Sequence, residues 1–161
     1  MGLVREQVKG TGIMAKDVLV SIKGTQIIDG EKDTVEMITT GTWYERNGKQ
    51  YLLYEESYEG VQVTTKNTLK ISPELIEVSK KGPVSSKMIY ELGKKHMSNY
   101  MTPMGMILLG ITTGDIFVEA NEDTLRVEIK YAMEMNGQFV SNNTMEIQAN
   151  VKGTSTLKLS E

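Results

Sequence analysis

The chain has no cysteine and only one histidine, His96, among its 161 residues. Without thiols it has no disulfide, no zinc–thiolate or iron–sulfur site and no cysteine nucleophile. A metal site built on two histidines of one chain is excluded as well, so we expect no bound metal. Because disulfides are confined mostly to oxidising compartments, their absence fits a reducing one, and we predict a cytoplasmic protein.

Charge of one sign and long apolar runs are also scarce. The formal net charge is only -3, and lysines and glutamates alternate locally without forming a basic tract. This balance gives no broad attraction to nucleic acid or to an anionic membrane. The longest apolar run, MGMILLGI at residues 104–111, is far too short to span a bilayer as a helix. We therefore predict neither a nucleic-acid partner nor a membrane span.

Helical periodicity is missing, and the dominant repeat along the chain is two residues. Apolar and polar side chains alternate most clearly over residues 61–71, 125–135 and 139–151. Such alternation is typical of strands with one buried and one wet face. Weaker alternation covers residues 18–28, 35–44, 51–58 and 84–92, and short strands are expected near residues 75–78 and 116–118.

Turn signals separate these strands. Asn47-Gly48 and Asn136-Gly137 lie between alternating runs and predict type I′ hairpins, in which both central residues have positive φ. Connections are short, so roughly nine or ten strands should follow one another as an antiparallel meander, and closure into a barrel would remove exposed edges. We expect one barrel domain over residues 16–151. It would follow a flexible N-terminal segment or leader (1–15) and precede a C-terminal tail or short strand (152–161).

Several polar residues lie on the apolar faces of these strands. If the faces point into a barrel, polar groups project into an apolar interior, as they do in small-molecule sites. A polar network that satisfies itself is the other interpretation, because buried polar groups need hydrogen-bond partners. The candidate lining residues are Thr65, Asn67, Tyr90, Tyr131, Ser141 and Asn143, with Tyr54 at the mouth.

A catalytic interpretation is the weakest of those considered. Glu55 and Glu56 are adjacent, so on a strand they face opposite sides, and the alternation does not decide which faces inward. Either could act with Lys66 or His96, but no serine motif or metal-ligand spacing accompanies them. The GTGIMA stretch at residues 10–15 fits a dinucleotide fingerprint but precedes a strand instead of following one, so no cofactor is predicted.

The segment around His96, GKKHMSNYMTPMG, is expected to connect two strands. Residues 94–98 would form a polar connection, and residues 99–102 would begin the next strand. Pro103 cannot donate to a ladder hydrogen bond and should lie at an edge or bulge.

Short motifs spread from residue 18 to residue 151 point to a known family. They are Tyr54 to Glu56, Lys66, Lys81-Gly82, Met88 with Tyr90, Gly93, Tyr100, Thr102, Gly105, Thr112-Thr113, Leu125, Tyr131 and residues 143–147. In these the chain resembles the YwiB-like proteins, a bacterial family of unknown function assigned to the calycin-type β-barrels. Lys81 stands where these relatives often have arginine, so a site relying on a bidentate guanidinium would be altered. The resemblance implies a closed lipocalin-like antiparallel barrel and no reaction.

These observations lead to an ordered set of functional hypotheses. The first is a non-catalytic barrel that binds a small apolar or amphipathic molecule in its interior. The alternative is a packed structural or interaction module that acts through its outer surface, for example as a homodimer. An enzyme using Glu55 or Glu56 with Lys66 or His96 comes third.

Overall fold

The structure, a computed structural model, describes residues 14–57, 59–60 and 62–153. These residues form ten strands and no helix, so in the described part of the chain no helix is long and apolar enough to cross a membrane. The predictions for residues 1–13 and 154–161 lie outside the described residues. The strands are β1 (Lys16–Ile28), β2 (Glu31–Arg46), β3 (Lys49–Glu56), β4 (Thr65–Ile71), β5 (Leu75–Lys81), β6 (Ser86–Glu91), β7 (Lys95–Thr102), β8 (Gly105–Ala120), β9 (Thr124–Met135) and β10 (Gln138–Val151).

All ten strands belong to one antiparallel sheet in the order β6-β5-β4-β3-β2-β1-β10-β9-β8-β7. Sequence neighbours pair except for β6 and β7, and β1 pairs with β10, which brings the two ends of the meander together. The outer strands β6 and β7 meet where Ser85 and Met101 exchange backbone hydrogen bonds of 2.9 and 2.8 Å. The predicted all-β antiparallel meander is therefore confirmed, and the sheet forms a nearly closed barrel.

The seam between β6 and β7 is joined more loosely than the other walls. Between the Ser85–Met101 bridge and the turn that connects β6 to β7, the Ser98 hydroxyl donates to the Lys87 carbonyl at 2.8 Å. At the other end of the seam, the Gly93 N–H donates to the carbonyl of Thr113 on β8 at 2.8 Å. Side chains and a turn thus replace part of the backbone ladder there.

The predicted hairpin turns have the expected backbone geometry. Asn47 and Asn136 have φ of 52° and 50°, and the glycines that follow them have φ of 77° and 85°. Asp29 and Gly30 repeat the pattern with φ of 51° and 79°. We call the end of the barrel with turns 29–30 and 136–137 the upper end, and the end with turn 47–48 the lower end.

Two local predictions were wrong. Residues 94–98 are not a connection, because β7 begins at Lys95 and His96 pairs with Ile111. The expected short strand at residues 116–118 is instead the second half of β8, which runs unbroken past a register shift between Thr113 and Asp115. The shift changes which residues face inward in the second half of β8. The alternation in the sequence therefore resembles that of two separate strands. Pro103 lies in the turn between β7 and β8, where no ladder hydrogen bond is required.

The inward-facing side chains divide the barrel interior into two parts. The lower half is densely filled by aliphatic side chains that are nearly inaccessible to solvent, and it forms the core. These include Val18, Val20, Leu52, Leu69, Ile71, Ile76, Leu125, Val127, Ile147 and Ala149. The upper half carries longer and more polar side chains, and it is not filled.

A cavity in the upper half of the barrel

The upper half of the barrel contains a cavity of about 400 Å³, within the usual size range of small-molecule sites. Four methionines, Met37, Met88, Met133 and Met145, contribute to its mainly apolar wall. Methionine side chains are flexible and polarisable, so such a wall can adapt to the shape of a bound molecule.

The cavity opens through a gap in the wall beside β2. This strand pairs with β1 from Glu31 onward but with β3 only from Gly41 to Arg46. The β2 edge over residues 31–40 therefore has no neighbouring strand among the described residues. Val35, which lines the cavity on this stretch, is 67% exposed, so the rim is accessible from outside.

A polar cluster of Glu56, Asn67 and Lys80 lies on the inner face of three adjacent strands. Register brings them together, because Asn67 on β4 is opposite both Tyr54 on β3 and Lys80 on β5, and Glu56 lies two residues beyond Tyr54. Lys80 Nζ donates to Glu56 Oε1 at 2.9 Å and to Asn67 Oδ1 at 2.7 Å. Asn67 Nδ2 donates to the same glutamate oxygen at 2.9 Å.

This cluster places an ion pair in a largely desolvated position. The Lys80 and Glu56 side chains are only 14% and 19% exposed. Partly buried charges are stable only when they are paired and hydrogen-bonded, and Asn67 completes the arrangement by bonding to both partners. Glu56 and Lys80 line the cavity, whereas Asn67 is 1% exposed and supports them from behind.

Two tyrosines, Tyr90 on β6 next to this cluster and Tyr131 on β9 across the barrel, lie where the cavity meets the core. The rings of Tyr90 and Tyr131 pack edge to face, with centroids 5.0 Å apart and an interplanar angle of 68°. The Tyr90 side chain is fully buried, and the Tyr131 side chain is the first of the polar neighbours that interact with its hydroxyl. Burial, more than the neighbouring Tyr131, raises the pKa of Tyr90 well above its ordinary value, and burial also raises the pKa of Tyr131. Both groups are therefore neutral near neutral pH, and they lie in a region of low polarity.

The third polar part of the wall comes from β1 and β10. Asn143 Nδ2 donates to Ser141 Oγ at 3.0 Å, and Gln26 Nε2 donates to the same hydroxyl oxygen at 3.3 Å. Ser141 is fully buried behind the wall, and Gln26 and Asn143 line the cavity. The Asn143 side-chain oxygen accepts no hydrogen bond from the described residues.

The sequence-predicted lining residues all face inward, but they do not all reach the cavity. Tyr54, Tyr90, Tyr131 and Asn143 line it. Asn67 and Ser141 lie behind the wall, as described above. Thr65 is buried at the upper end of β4, and its hydroxyl has no partner among the described residues.

Sequence reasoning missed Gln26, Met37 and Lys80, and it left the orientation of Glu56 open. Glu56 could have been assigned from its spacing, because it lies two residues after Tyr54 on the same strand face. Lys80 had no such signal, because it precedes Lys81 at the end of a strand. Two consecutive lysines at such a position predict side chains exposed to solvent.

The residues of the catalytic hypothesis do not converge. Glu55 and Lys66 are opposite each other in the β3–β4 register and face outward, away from Glu56. His96 Nε2 lies 2.8 Å from Glu91 Oε1, a carboxylate that the sequence analysis had not connected with it. Among the described residues, no three histidine, aspartate or glutamate side chains are grouped so that they could hold a metal ion.

A second, larger depression of about 920 Å³ lies outside the lower end, around Trp43 and Glu122. Two of the polar groups in its wall already have partners. Trp43 Nε1 donates to Gln50 Oε1 at 2.7 Å, and Lys16 Nζ donates to the Glu122 carbonyl at 2.8 Å. The upper cavity is the better candidate for a binding site, because its polar groups are set in a mainly apolar wall.

The fold and the cavity define a small antiparallel β-barrel whose core fills one half of the interior. Comparison with known proteins gives the family: residues 20–147 match the domain of unknown function DUF1934, and the chain belongs to that family. It is 26% identical over 121 residues to the uncharacterized β-barrel protein YwiB of Bacillus subtilis (strain 168), an alignment covering 75% of this chain and 84% of that protein. The crystal structure of that protein superposes with a TM-score of 0.77 at 24% identity, covering 85% of this chain and 92% of the other. This likeness confirms the β-barrel fold.

Proposed function

We propose that the protein is a non-catalytic, cytoplasmic β-barrel of the calycin type that binds one small, partly apolar molecule in the upper cavity. The observation that carries the proposal is the division of the interior into a lower half that side chains fill and an upper half that they line without filling. A barrel built only for stability would gain from filling both halves, because unfilled apolar volume lowers the free energy of unfolding.

The lining supports this proposal in its composition. Apolar burial against the methionines would supply affinity, and a few polar groups would fix orientation. At ~30 Å³ per water-sized unit, the cavity holds a molecule of roughly ten to fifteen non-hydrogen atoms. The ligand is therefore smaller than a nucleotide cofactor.

Gly24 provides a direct test of the site. It lines the cavity, and a Cβ built on it meets no atom within 4 Å, so a larger side chain there would project into empty space. We expect wild-type protein to bind one equivalent of an apolar fluorescent dye, and Gly24→Leu to weaken that binding at least about tenfold, or ~1.4 kcal/mol. The matched control is Lys23→Leu, which adds the same side chain at the adjacent outward-facing position.

The comparison separates cavity binding from adsorption to the surface. Equal binding by Gly24→Leu and wild type, with circular dichroism unchanged, would place the dye outside the cavity and contradict the proposal. Native mass spectrometry of protein purified from its own host would then look for a retained small molecule, and a clean apo mass together with no dye binding would also count against it.

A second candidate function, self-association through β2, is favoured by the unpaired edge of that strand. Val35 and Ile38 on this edge are 67% and 68% exposed. Exposed edges with apolar side chains favour pairing with another strand. An antiparallel pair of two copies centred on Thr34 would set Lys32 of each opposite Glu36 of the other, which adds complementary charge.

Sedimentation analysis tests this alternative through a charge swap. If the edges pair, Glu36→Lys should weaken the dimer, and the double variant Lys32→Glu with Glu36→Lys should restore it. A monomeric wild type at high concentration would eliminate this candidate without bearing on the cavity.

A further inference from the structure

Among the residues that the structure describes, three charged side chains line the cavity: Asp33, Glu56 and Lys80. The two inner charges neutralise each other, because Lys80 and Glu56 are joined at 2.9 Å and both are bonded to Asn67. Asp33 lies on the exposed upper part of β2, where water and salt screen its charge. Within the described part of the chain, no unpaired charge therefore faces the inner cavity.

A charged ligand would meet a penalty at each depth of this cavity. Near the wall of β3 to β5 it could gain an ion pair only by weakening the one already present, and opening a partly buried pair is costly. Near Tyr90 and Tyr131 it would enter a region lined by neutral aromatic side chains and close to the buried core, and transfer of an unpaired charge there is more costly still.

Uncharged hydrogen-bonding groups, in contrast, find partners that are still available. The Lys80 ammonium has three N–H donors and uses two of them, on Glu56 and Asn67. On the other side of the cavity, the Asn143 side-chain oxygen accepts no hydrogen bond from the described residues. A hydroxyl, carbonyl or amide oxygen can accept from Lys80, and a hydroxyl or amide can also donate to the Asn143 oxygen, without disturbing the ion pair.

We infer that the cavity selects an uncharged amphipathic molecule, one with a neutral hydroxyl, carbonyl or amide head and an aliphatic body that packs on the methionines. This inference rests on the proposed function and narrows it to a ligand class. It also assigns a role to the Glu56–Lys80 pair, which sets the charge selectivity of the site.

A matched series of probes tests the inference. The series is 1-decanol, decanamide, decanoate and decylammonium, which share one aliphatic chain and differ in the charge of the head at neutral pH. Each is titrated against wild-type protein carrying the fluorescent dye. We expect the two neutral probes to displace the dye at concentrations at least about tenfold lower than either charged probe.

A variant of the ion pair sharpens the test. Glu56→Gln keeps an oxygen that can accept from Lys80 and Asn67 but removes the negative charge, so Lys80 becomes an unpaired cation. We expect this variant to gain affinity for decanoate by about tenfold relative to wild type, and to gain none for decylammonium. The double variant Glu56→Gln with Lys80→Met carries neither charge and should keep the preference for neutral probes. This double variant is the control if Glu56→Gln alone is poorly folded.

The outcomes distinguish this inference from the proposed function. If decanoate or decylammonium displaces the dye from wild type as well as decanol does, the inference is overturned and the binding site stands. The inference is also overturned, and the binding site again stands, if the dye binds in the cavity but no member of the series displaces it. If neither the dye nor any probe binds, the proposed function fails and the inference fails with it.

Discussion

Lys80 on β5 reaches across β4 to Glu56 on β3, and the two side chains meet at 2.9 Å inside the barrel. The bond links strands that are not neighbours, and Asn67 on the intervening strand bonds to both of its partners. The contact therefore fixes the inner surface of three strands together, next to the gap in the wall.

Lys80→Met should destabilise the protein by roughly 3 kcal/mol, because it removes the ammonium that is paired with the largely buried Glu56 carboxylate. Chemical denaturation followed by circular dichroism measures this change. The double variant Lys80→Met with Glu56→Gln removes both charges and should recover a large part of the loss. Equal losses in the single and double variants would show that the pair contributes through shape and not through charge.

Gly41→Ala should also destabilise the barrel, by about 2 kcal/mol, through overpacking. A Cβ at this position would lie 2.5 Å from the Leu53 carbonyl oxygen and 3.1 Å from Val20 Cγ2, so the β2–β3 ladder would have to shift. Gly24→Ala is the matched control on the neighbouring strand, because its Cβ meets nothing within 4 Å, and its effect should stay within about 1 kcal/mol. Similar thermal midpoints for the two variants would contradict the prediction.

The pair formed by Glu91 and His96 should make stability depend on acid pH. The hydrogen bond from His96, assisted by Lys94, lowers the pKa of Glu91 below its ordinary value of 4.5. A carboxylate with a lowered pKa adds stability above the unfolded-state value and loses it as pH falls through the folded-state value. The free energy of unfolding of wild type should therefore exceed that of Glu91→Gln at neutral pH, and the difference should shrink below pH 4.5.

Glu31→Gln, at an exposed position next to the β1–β2 turn, is the control for that titration. A difference between wild type and Glu91→Gln that stays constant from neutral to strongly acid pH would refute the assignment to Glu91.

The β6–β7 seam should be the wall that opens most readily. The Ser98 hydroxyl donates to the Lys87 carbonyl at 2.8 Å in a stretch where side chains supplement the backbone ladder. Ser98→Ala should lower the free energy of unfolding by about 1 kcal/mol, because it leaves the carbonyl without this donor. Hydrogen exchange should quicken at the amides of β6 and β7 before those of β1 and β10.

Thr34→Ala is a suitable comparison, since the Thr34 hydroxyl is exposed and makes only a 3.5 Å contact with Thr25. If Ser98→Ala and Thr34→Ala change the hydrogen-exchange rates of the amides equally in all strands, the seam does not open as a separate unit.

Much of the architecture could be read from local patterns. The alternation of residues 125–135 and 139–151 identified β9 and β10, because a half-buried strand requires that period. Asn47-Gly48 and Asn136-Gly137 gave the turn type, since few residues tolerate positive φ at both central positions. The inward orientation of Tyr90, Tyr131 and Asn143 followed from the same alternation. The register shift between Thr113 and Asp115 interrupts the alternation, and there the prediction of a separate short strand was wrong.

The sequence by itself determined which faces of the strands are buried, how neighbouring strands connect, and that thiol chemistry is absent. Only the tertiary structure decided which residues meet across the interior. Lys80 and Glu56 lie 24 positions apart, and their contact depends on the register of three strands. The unfilled upper half likewise depends on how far β2 extends beyond β3, a mismatch of strand lengths that no local pattern encodes.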